Sequence, residues 1–157
     1  MSNSDISSVM HDQCRRPLKM FRDAVIAFPA DEWKKGEIDY LRPAGVAYHV
    51  VETLDFYLSD QPPDKFGWGG RFGVDWEDKD SERLPGQGEI IGYLDEMEDK
   101  FQQWLKKADL MAAEAMYPWT GSLVLGRVVY VARHLQHHVS EMSLELTRRG
   151  LQSPEWL

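Results

Sequence analysis

The sequence predicts an all-α fold, a four-helix bundle. Apolar residues recur at three- and four-residue steps, as in Ile90, Leu94, Met97, Phe101, Trp104 and Ala108, which places them on one helix face. Helix-stopping residues (Pro29, Pro62-Pro63 and Gly150) punctuate these stretches. No run alternates with the period of two that marks strands. A chain of 157 residues suits one domain, taken over residues 1–157.

The first helix carries the stripe Phe21, Ala24, Val25 and Phe28, and Pro29 ends it. A helix begun near Asp5 would have to pass Pro17. A mid-helix proline costs about 3 kcal/mol, so a kink or a short separate helix is expected there. The second helix runs from about Pro43 to Leu58, since proline is well placed at a first helical position. Val46, Ala47, Val50, Val51, Leu54, Phe56 and Leu58 make it apolar over most of its circumference, and Glu52, Asp55 and Ser59 form its solvent wedge. In the third helix, Glu89, Asp95, Glu96, Glu98 and Asp99 read as a solvated face. The fourth spans about Ser122 to Arg149, with Gly150 in the position after the C-cap. Between the second and third lies a long loop, Gln61 to Gly88. Its Trp68, Phe72 and Trp76 are expected to pack on the bundle end, unless one faces a substrate.

Eighteen Lys and Arg against 26 Asp and Glu give a net charge of −8. That balance argues against nucleic acid and anionic membrane surfaces as partners. A lone cysteine, Cys14, forms no internal disulfide and reads as a small buried residue. The polar start Met1-Ser2-Asn3-Ser4-Asp5 lacks the features of a signal peptide, so a cytoplasmic setting is expected.

The chemistry lies in the histidines. His134 and His138 are four residues apart, within about 40° of each other on a helix, and can chelate one ion. His137 points nearly opposite the apolar centre of that helix, toward solvent. His49 sits at the edge of the buried face of the second helix and is the natural third ligand. Three neutral imidazoles suit zinc, nickel or iron and leave a coordination position open for water or substrate. Glu52 or Glu141 could hold an imidazole N–H, and Arg127, near the ligand flank, could contact an anionic thiol or pair with Glu145. The plainer reading is a satisfied core histidine at 49 and a surface pair at 134 and 138. No Glu-x-x-His of the di-iron bundles occurs, no zinc-protease motif, and no phosphate-cradling loop.

At this point the chain resembles the DinB-like (DinB/YfiT-like) metal-binding bundles over most of its length. Phe28-Pro29-Ala30-Asp31-Glu32-Trp33 is similar to the end of that family's first helix, His49 with Glu52 to its His-x-x-Glu second helix, and His134-x-x-His137-His138 to its fourth. The resemblance implies the ligand triad His49, His134 and His138, with His137 left out. Where the family often carries Gly-Gln after the last histidine, this chain has Val139-Ser140-Glu141, and Glu141 is the natural substitute. Similar members join a low-molecular-weight thiol to an electrophile. The expectation is therefore a homodimeric, divalent-metal-dependent thiol S-transferase acting on small electrophiles. A non-catalytic metal-binding or stress-response bundle, and a metal-free structural dimer, are the alternatives.

Overall fold

The computed structural model describes residues 2–38 and 41–157. It is an all-α four-helix bundle, with no strand among the described residues. The helices are α1 (Asn3–Ala27), α2 (Pro43–Tyr57), α3 (Gln87–Lys107) and α4 (Val124–Arg148), with single 3-10 turns at Pro63–Lys65, Ser81–Arg83 and Pro118–Thr120. None is long and apolar enough to cross a membrane.

Local chemistry sets the helix ends. Ser2 and Asp5 form a capping box: Ser2 Oγ accepts from Asp5 N at 3.2 Å and Asp5 Oδ2 from Ser2 N at 2.8 Å. At the other end of α1, the Gln87 side chain donates to the carbonyls of Val25 and Phe28. Gly150 (φ 72°) closes α4 in a Schellman motif, with Leu151 N bonded to Leu146 O and Gly150 N to Thr147 O. Of the two alternatives at Pro17, the short separate helix is excluded: α1 runs through the proline as one continuous helix. Proline there removes one N–H. The carbonyl that loses it belongs to Gln13, an exposed residue that water can serve.

Around the bundle, α1 packs on α3 and α4, and α2 packs on the same two. Helices α1 and α2 therefore face each other across a diagonal. Buried Trp33 anchors the start of the connection between them: its Nε1 donates to Pro85 O and its carbonyl accepts from Ala44 N. The core holds Phe21, Val51, Leu54, Ile90, Leu94, Leu135, Val139 and Leu146. Each such side chain contributes about 1.5–3 kcal/mol relative to exposure.

The loop between α2 and α3 lies along α2 rather than on the bundle end. Phe72 packs edge-on against Tyr48, Trp68 against Phe56, and Trp76 against His49. This placement corrects the assignment of Glu52 to a solvent wedge: the loop roofs that side, and Glu52 is buried. Its Oε1 accepts from Gly69 N at 2.6 Å and from Tyr48 Oη at 3.3 Å, while Oε2 has no partner. Burial pushes its pKa up, against the lowering effect of those two hydrogen bonds. Glu52→Ala should strand both donors and lower stability by about 1–3 kcal/mol. Glu52→Gln keeps the accepting oxygen, sheds the buried charge, and should leave stability unchanged or raised at pH 7. Urea denaturation reads both, and amide exchange at Gly69 should quicken in the alanine variant alone.

Candidate metal centre

Three imidazoles meet in the seam between α2 and α4. His49 Nε2 lies 3.0 Å from His134 Nε2, and His134 Nε2 lies 3.1 Å from His138 Nε2. The ring centroids are 4.5–5.0 Å apart. The three rings can offer one nitrogen each to a shared ion. In a tetrahedral zinc site with Zn–N near 2.0–2.1 Å, two ligand nitrogens sit about 3.3 Å apart. The observed spacing is close to that.

Protons alone satisfy the cluster poorly. His138 Nδ1 donates to Glu141 Oε2 at 2.7 Å, which leaves the Nε2 of a neutral His138 as a bare lone pair. A proton on His134 Nε2 can serve only one of its two neighbours well. Charging the rings is unfavourable. Burial lowers the His49 pKa to about 4 and that of His134 to about 3, and the neighbouring imidazoles push the same way. Burial lowers that of His138 as well, with Glu141 opposing. A divalent cation satisfies all three lone pairs at once, so the donor set fits one.

The surroundings differ from ring to ring. Trp76 lies on His49 with centroids 4.4 Å apart, and Nδ1 of His49 has no hydrogen-bond partner among the described residues. Gly45, one turn before His49, admits this loop: a Cβ there would sit 2.9 Å from Trp76 O. Nothing in the sequence ties Gly45 to Trp76, since the two lie 31 residues apart (76 − 45).

The other candidate residues divide. Glu141 is in place, bridging His138 and, at 3.2 Å, the exposed His137, which stays outside the triad. Glu52 turns away from His49 toward Gly69 and Tyr48. Arg127 is paired neither with Glu145 nor with open solvent. Its Nε and Nη2 bond Glu114 at 2.7 and 2.8 Å, between Tyr117 and Trp104. Burial opposes the charge on Glu114, but Arg127 and the amides of Tyr117 and Met116 outweigh it and hold its carboxyl below the usual range. Glu145 instead binds Arg148 and Arg149. Cys14 is fully buried, its thiol pushed up to about 12 by burial, so it is no nucleophile.

No protein-family model matches the chain, and no curated protein does.

In the metal-free protein, His49 and His134 should remain uncharged at pH 5, where an ordinary imidazole, with pKa about 6.5, is mostly protonated. The unfolded chain then binds protons the fold refuses. Stability conferred by these groups is full above about pH 6.5 and declines as pH falls toward 4. Long-range ¹⁵N–¹H spectra of the imidazoles between pH 7 and 5 check the charge state, and urea midpoints over the same range check the decline.

Proposed function

We propose that the protein is a divalent-metal-binding bundle of the DinB-like kind, acting as a metal-dependent thiol S-transferase on small electrophiles in the cytoplasm. The observation that carries this reading is the convergence of the His49, His134 and His138 Nε2 atoms in one seam. Three protein ligands are the catalytic rather than the structural number, because a fourth position stays open. Zinc and nickel suit this imidazole set best, with iron next.

A metal bound there would supply a Lewis acid that favours the thiolate of an incoming thiol. The chain supplies the rest. Glu141 fixes the His138 ring by accepting its Nδ1 proton, which keeps Nε2 free as a donor and raises its basicity. Trp76 excludes water from one face of His49. In the transfer, the thiol S–H bond breaks and its proton passes to solvent, the sulfur–carbon bond forms at the electrophile, and the bond from that carbon to its leaving group breaks, the group departing with the electron pair.

The homodimer belongs to the same proposal. Trp156, Leu144 and Ile26 are 76%, 68% and 63% exposed, apolar surface of the kind a symmetric partner covers. Light scattering should give twice the chain mass, and a monomer at high concentration contradicts it.

His49→Ala, His134→Ala and His138→Ala should each cut metal affinity by orders of magnitude, whereas His137→Ala should leave it within about twofold. The measurement is metal per chain in tag-free protein after dialysis, with circular dichroism to confirm folding. Equal loss in all four variants would indicate loose surface chelation. No metal in the parent after reloading with Zn²⁺ and Ni²⁺ would end the metal reading. Metal without thiol-dependent turnover of a reactive electrophile would leave a non-catalytic metal-binding bundle.

A further inference from the structure

We infer that His137 and Glu141 form an outer cation site on α4, and that a divalent ion reaches the triad through it. The inference rests on the metal reading above and adds the route by which that metal enters.

Donor groups stand on both sides of the His138 ring. Its Nε2 belongs to the triad, 3.1 Å from His134 Nε2. On its Nδ1 side are Glu141 and His137, and the ligand atoms of these three side chains all lie within 4.8 Å of one another. Glu141 uses one oxygen for each histidine: Oε2 accepts from His138 Nδ1 at 2.7 Å, and Oε1 lies 3.2 Å from His137 Nε2. Two donors that share one ion, at bonds of about 2.0–2.2 Å, stand close to that last distance apart. His137 and Glu141 are four residues apart within α4, so they form a chelating pair on a single rigid element.

Exposure falls from this outer pair to the triad. The side chain of His137 is 67% exposed, that of Glu141 28% and that of His138 15%. A hydrated cation that met the triad first would give up its water to partly buried, uncharged rings, with Trp76 lying on one of them. At His137 and Glu141 it meets an imidazole and a carboxylate while still in solvent, and it exchanges water for protein ligands in steps. Arg133 comes one turn before His137 and Glu141 one turn after it, so a ring turned to Glu141 is turned from that guanidinium. The net charge of −8 favours the approach of a cation. Two protein ligands hold an ion more weakly than three, so dialysis empties the outer site and leaves one metal per chain.

The test mixes Co²⁺ with metal-free, tag-free protein in a stopped-flow instrument and follows the visible cobalt bands of the three-imidazole site. In the parent, the rate should rise with Co²⁺ and then level off, because the outer site fills before the ion moves on. In His137→Ala the rate at low Co²⁺ should fall about fivefold and the levelling should vanish, while the final band intensity and the equilibrium affinity stay within about twofold. His137→Glu, which returns a ligand to the same position, should recover most of the rate. Equal rates in the parent and His137→Ala, or a loss that His137→Glu does not repair, would overturn the entry site and leave the metal reading standing. Absence of cobalt bands in the parent would defeat the metal reading and this proposal with it.

Discussion

Three neutral imidazole nitrogens, His134 about 3 Å from both His49 and His138, inside a seam that disfavours their protonation, are the constraint around which the rest of the site is arranged. Bases this close gain nothing from each other beyond a shared proton, and burial makes extra protons costly. The arrangement is held by its frame. His49 is fixed by α2, apolar over most of its surface, and His134 and His138 by one face of α4. Because α1 and α2 lie across the diagonal, α2 and α4 are direct neighbours and the two halves of the triad meet.

The long connection between α2 and α3 completes that frame at the expense of burying a carboxylate. Glu52 holds the loop through Gly69, and the loop in turn lays Phe72 and Trp76 along α2. Buried Glu114 does comparable work at the far end of the seam, fixing Arg127 and the turn before α4. In both places a buried acid is an internal anchor.

What the sequence made legible follows physical range. Helix number, the α2 start at Pro43 and the α4 stop at Gly150 are local matters of periodicity and capping, and they read directly. The common face of His134 and His138 is also local, fixed by a four-residue step. Contacts across loops were not legible. The partner of Arg127 is Glu114, 13 residues back in a connection, rather than Glu145 on its own helix. The role of Glu52 depended on a roof that periodicity does not report, so it turned toward the loop instead of His49. Helix α1 passed Pro17 because the orphaned carbonyl sits on an exposed residue, and burial of that kind is set only in the packed fold.

The central claim is that these three imidazoles form one mononuclear site. X-ray absorption at the metal edge of the zinc-loaded, tag-free protein measures that coordination directly. The account predicts about three imidazole nitrogens at 2.0–2.1 Å, with the remaining light scatterer supplied by water, at one metal per chain. A shell of oxygens with one imidazole or none, a sulfur ligand, or a variable metal content spread over the surface would contradict it.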